Sequence, residues 1–123
     1  MTDKEFEEIV NKGIKAIDNR FLKRLENVEI CIEDEPDSFQ LEKIKARKGS
    51  LIFGLYEGVP QTKRWGYGQV LPDKITIFKK SIEEVCSSRE EMIEMVKNTV
   101  WHEIAHHFGM DEKEVKEAEN KRR

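Results

Sequence analysis

Residues 100–112 read Val100-Trp101-His102-Glu103-Ile104-Ala105-His106-His107-Phe108-Gly109-Met110-Asp111-Glu112 and hold all three histidines of a 123-residue chain. The stretch continues a run with helical spacing. At about 100° per residue, Val100, Trp101, Ile104, Ala105 and Phe108 share one broad apolar face. His102 and His106 fall together nearly opposite its centre, and Glu103 lies about 60° to the side of His106. A core face and a polar face therefore separate on one helix. His107 sits at the edge of the apolar face, turned away from the other two, which excludes it as a direct metal ligand and leaves it a supporting place nearby. Gly109 is the residue type expected just past a helix C-terminus.

Residues i and i+4 of a helix stand one turn apart, so His102 and His106 can aim a nitrogen each at one ion. The glutamate after the first histidine is then placed to handle the proton of a zinc-activated water. Zinc-dependent hydrolysis is the expectation, with Glu103 as general base. The plainer alternative is a polar helix face, which a lone histidine would favour and this spaced pair disfavours. Catalytic zinc takes three protein ligands and one open position. Glu112 stands where the third ligand is needed once Gly109 turns the chain back. Asp111, one place earlier, is the competing ligand, although it would equally cap a following helix. An oxyanion would need a further donor. Tyr56, Tyr67 and Arg64 are the candidates, and each could instead be a packing or surface residue.

Working outward, residues 3–25 carry Phe6, Ile9, Val10, Ile14, Ile17, Phe21, Leu22 and Leu25 at helical spacing, capped by Thr2 or Asp3. Strands are expected over 28–33, 50–56 and 74–79, with a short helix over 38–47 and an irregular glycine-containing stretch over 58–72. Ser81 opens a short helix with Glu84 as capping partner. Ser87 or Ser88 caps the main helix, and a last charged helix covers about 111–121. The strand 51–56 is a candidate edge for aligning an extended peptide. One α+β domain over residues 1–123 is the economical organisation.

Composition narrows the function classes. Charged residues reach 38% against 37% hydrophobic, and 22 Lys and Arg against 25 Asp and Glu leave a net charge of −3. No basic excess marks a nucleic-acid binder, and Lys121-Arg122-Arg123 reads as a solvated tail. The charged N-terminus lacks the apolar core of a signal peptide, and no segment approaches the ~18 apolar residues of a membrane span. Cys31 and Cys86 lack metal-type spacing and read as reduced, buried thiols of a cytoplasmic protein, neither of them a zinc ligand.

Beyond the motif, the chain resembles a family of small bacterial proteins, the zincin-like or minimal-zincin metallopeptidases. The resemblance covers the helical opening, the strand ending in Glu33-Asp34-Glu35-Pro36, and Gly54-Leu55-Tyr56-Glu57-Gly58-Val59-Pro60. It continues through Leu71-Pro72-Asp73-Lys74-Ile75 and His102-Glu103-Ile104-Ala105-His106-His107-Phe108-Gly109. It implies a compact zincin-like fold, a small mostly antiparallel or mixed sheet of three to four strands packed against a metal-binding helix. It also implies one zinc ion and a peptide or protein substrate. Members commonly carry aspartate where this chain has Glu112. Longer zincins have histidine there. Two other classes compete. One is a non-catalytic zinc module, against which the carboxylate ligand and Glu103 argue. The other is a metal-dependent ribonuclease, whose third histidine and basic groove are missing from this chain.

Overall fold

The computed structural model describes residues 1–23, 27–46, 52–58 and 72–107, and at positions 20, 21, 46 and 106 the backbone alone. Among them the chain forms α1 (Asp3–Lys15), α2 (Asn19–Leu22), β1 (Val28–Glu33), α3 (Ser38–Ala46), β2 (Gly54–Glu57), β3 (Asp73–Phe78), α4 (Lys79–Val85) and α5 (Arg89–His107). This is the expected α+β class.

The expected single helix over 3–25 is in fact two. Thr2 opens α1 with a capping box: the Glu5 amide donates to Thr2 Oγ1 at 3.1 Å, and the Thr2 amide donates back to the Glu5 carboxylate. The helix closes at Ala16, where the Ile17 amide turns back to the Ile14 carbonyl, and the Leu22 amide then bonds the Asp18 carbonyl to start α2. Apolar spacing runs on across this break, which hides it from periodicity. The polar pair Asp18-Asn19, favourable at helix starts, marks it.

The three strands form a mixed sheet in the order β1-β3-β2, with β1 parallel and β2 antiparallel to β3. Tyr56, Ile75 and Ile77 point from β2 and β3 into a cluster with Phe6, Ile9 and Val10 of α1 and Val96, Val100, Trp101 and Ile104 of α5. Two helices thus cover one sheet face. α1 comes so close to α5 that a β-carbon on Gly13 would lie 2.8 Å from Val96 Cγ1.

β2 is shorter than the strand expected over 50–56, because Ile52 and Phe53 form a turn and pairing starts at Gly54. α4 begins at Lys79, straight out of β3, rather than at Ser81. Phe78 is its cap residue and supplies no side-chain bond. The main helix starts where expected: the Glu91 amide donates to Ser88 Oγ at 3.1 Å, and the Ser87 amide donates to the Glu91 carboxylate. The stretch over 59–71 and the helix expected over 111–121 lie outside the described residues. Cys31 and Cys86 are free thiols, Cys86 buried and Cys31 partly so, and burial raises both thiol pKa values. No helix among the described residues is long and apolar enough to cross a membrane.

α3 is fastened to the end of β2. Asp37 and Gln40 cap one another, and the buried Gln40 amide group donates to Glu57 Oε1 at 3.1 Å, while Lys43 Nζ donates to Glu57 Oε2 at 2.9 Å. Burial works to raise the Glu57 pKa. The bonds from Lys43 and Gln40, with the charges of Lys43 and Lys74, outweigh it and hold the carboxyl below its ordinary 4.5. A depressed carboxylate contributes stability that is present above its unfolded pKa and lost as pH falls through the folded one. Glu57→Gln should therefore flatten the stability curve below about pH 4.5 and leave its shape near neutrality unchanged, as urea unfolding at stepped pH would record.

Candidate active site

α5 carries two interleaved rows of side-chain positions. One row holds positions 102 and 106. The other holds Thr99, Glu103 and His107, each one turn further along, and it runs the length of β2. Four residues of helix advance about 6 Å and two residues of strand about 6.7 Å, so the row keeps step with Gly54, Tyr56 and Gly58.

Its first contact is steric. A β-carbon on Gly54 would lie 2.5 Å from Thr99 Cγ2, so only glycine lets the helix settle this close to the strand. The second is polar. Glu103, only 2% exposed, accepts the Tyr56 amide on Oε1 at 2.9 Å. That amide is available because of strand register. The Phe78 amide donates to the Phe53 carbonyl, so by alternation Leu55/Thr76 and Glu57/Lys74 are the bonded pairs of the ladder. Tyr56, opposite Ile75, sits at a non-bonded site and points its N–H away from β3. The third contact is aromatic. The His107 ring stacks on the Tyr56 ring with centroids 3.8 Å apart and planes 15° from parallel.

Tyr56 is held at its far end too. Its hydroxyl donates to Asp73 Oδ2 at 2.7 Å, and His107 Nε2 lies 3.8 Å from the same oxygen. This gives Tyr56 a partner other than a developing oxyanion. The expected apolar face is the buried one: Val100, Trp101, Ile104 and Ala105 are all in the core. His102 is half-buried beside it, and His107, at the edge of that face, is exposed.

Of the expected ligands, His102 has a described side chain, and His106 stands one turn on in the unbroken helix. Glu112 and Asp111, like Tyr67 and Arg64, lie outside the described residues. Among the described residues no three His, Cys, Asp or Glu groups gather to hold an ion. Asp73 has no signature in spacing or composition that would have marked it as part of this region. It lies 30 residues before Glu103 (103 − 73) and reaches the region through the pairing of β3 with β2.

A family model for zincin-like metallopeptidases matches residues 25–122. The chain belongs to that family, and the match spans the sheet, α5 and the motif. No curated protein matches the chain.

Two predictions follow from this contact row. Glu103→Ala removes the acceptor of a buried amide and should cost about 2–3 kcal/mol in urea unfolding, whereas Glu103→Gln, whose carbonyl can still accept, should stay within about 1 kcal/mol of the parent. Gly54→Ala should cost about 1–3 kcal/mol by overpacking against Thr99. Measured against Thr99→Ser alone, the same glycine change should cost less, because serine lacks the clashing methyl. Equal costs in both backgrounds would show that Thr99 is not what the alanine meets.

Proposed function

We propose that the chain is a zinc-dependent peptidase in which His102, His106 and Glu112 hold the ion and Glu103 is the general base. The donor set suits zinc: two imidazoles and a carboxylate, hard-to-borderline ligands with no competing thiol. His102 fits a ligand's place, since its ring is neither packed in the core nor fully in solvent. The chemistry such an ion supplies is Lewis-acid activation of water near neutral pH.

The observation that carries the reading is the placement of Glu103. A carboxylate withdrawn from solvent is costly, and a helix meant only to pack would carry an apolar residue there. Here the carboxylate lies beside the histidine row with one oxygen fixed by a backbone amide. Held in that orientation, Glu103 takes a proton from water as it attacks the scissile carbonyl and delivers that proton to the leaving amine. The substrate is a peptide or protein segment. In the extended form it would lie near the β2 edge, where the outward amide of Tyr56 is already engaged by Glu103, so pairing would fall beyond Tyr56.

Metal analysis of the purified protein should find about one zinc per chain, the ligand set having a single open coordination position. His102→Ala should lose it and Glu112→Ala should weaken it. Glu103→Gln should keep the metal and abolish cleavage of an unbiased peptide library read by mass spectrometry. No zinc after incubation at neutral pH, or full cleavage by Glu103→Gln, would sink this assignment.

A further inference from the structure

We propose that Asp73 and His107 are positioning residues that act through Tyr56 on Glu103, an inference that rests on reading Glu103 as the general base. One oxygen of the Glu103 carboxylate is held by the Tyr56 main-chain amide, so a shift of Tyr56 is passed directly to the carboxylate. Three of the contacts of Tyr56 hold it at different points. Its hydroxyl is on Asp73, its ring is on His107, and its amide is on Glu103. Two of the three grips come from one helix, one turn apart.

The anchor at the other end is built into the sheet. Asp73 opens β3 opposite Val28, and its own amide donates to the Asn27 carbonyl at 3.1 Å. Through its hydroxyl, the tyrosine ring is therefore tied to the start of β3, the strand with which β2 pairs. His107 closes the arrangement: its side chain is 37% exposed, yet its ring lies flat on Tyr56 with Nε2 turned to the Asp73 carboxylate. An apolar residue would serve as well if packing were its whole role. A polar ring that faces a carboxylate while stacking on that carboxylate's own hydrogen-bond donor fixes orientation as well as contact.

Small misplacements of a reacting group are expensive, with about 1 Å costing about a hundredfold in rate. The consequence is specific. Loosening Tyr56 should disturb Glu103 while leaving the metal row, on the neighbouring face of α5, loaded.

The Tyr56 amide reports this directly. In ¹H–¹⁵N spectra of the zinc-supplemented protein its resonance should move in Glu103→Gln, which identifies it as the carboxylate's partner. His107→Ala and Asp73→Ala should then speed hydrogen exchange at Tyr56 on the order of tenfold relative to the Ile75 and Ile77 amides of the neighbouring strand. Zinc content should stay at the parent value. His107→Phe, which keeps a stacking ring, and Asp73→Asn, which keeps an acceptor for the phenol, should recover most of the protection. With a cleavable peptide, kcat should fall in the alanine variants while KM holds. If Asp73→Ala does not fold, His107→Ala with its phenylalanine rescue carries the test alone. Tyr56 exchange that changes no more than that of Ile75 and Ile77 would overturn the positioning role and leave the peptidase assignment standing. A responsive Tyr56 in a protein that neither binds zinc nor cleaves peptides would instead overturn the general-base reading, and with it the positioning of a catalytic base by Asp73 and His107.

Discussion

The contact on which the rest of the structure depends is the hydrogen bond from the Tyr56 amide to the buried carboxylate of Glu103. It joins the helix bearing the histidines to the end strand of the sheet, and it forms only if three separate conditions hold. Strand register must leave that amide pointing outward. Gly54 must be without a side chain so that Thr99 can sit against it. The helix must run along the strand closely enough for its four-residue step to match the strand's two-residue step. A one-residue slip of β2 would turn the Tyr56 amide into the ladder and its side chain to the opposite face. The carboxylate would then be buried with that partner gone.

This accounts for the economy of the site. A general base must be shielded enough to be held still and polar enough to carry charge. Burial alone would favour the neutral acid or expulsion of the side chain. A backbone amide is a suitable partner, because its direction is set by sheet geometry rather than by a side-chain rotamer. The six-residue motif 102–107 accordingly serves two surfaces at once. Positions 103 and 107 face the strand, and positions 102 and 106 form the neighbouring row of the same helix.

Much of this was readable from the chain itself. The separation of faces on α5 follows from spacing, and Val100, Trp101, Ile104 and Ala105 are buried as that spacing requires. Ser88 caps the helix for the reason serine usually does, by accepting an exposed amide. His107, placed by spacing at the edge of that face, stacks its ring on Tyr56. Other features depend on information that local pattern does not hold. The break after α1 lies inside an uninterrupted apolar repeat. The start of β2 is set by which residues find partners in β3, not by their own propensity. Asp73 meets Tyr56 and His107 because an antiparallel pairing brings β3 beside β2. The family match, covering residues 25–122, agrees with the resemblance carried by the motif and its flanking segments.

The parallel pairing of β1 with β3 has a kinetic side. Val28 meets Asp73 across 45 residues (73 − 28), and Tyr56 meets Glu103 across 47. α1 meets α5 across still more of the chain, from Gly13 to Val96. Contacts this distant in sequence close late, since the entropy of the intervening loop must be lost before they reward it. The hydrogen bonds of helix α5, which carries all three histidines, are local, but its Glu103 carboxylate meets the strand amide only once β2 is in place. A chain still emerging or partly unfolded therefore displays the motif without the geometry. The geometry of the site belongs to the assembled sheet and helix together, not to the motif alone.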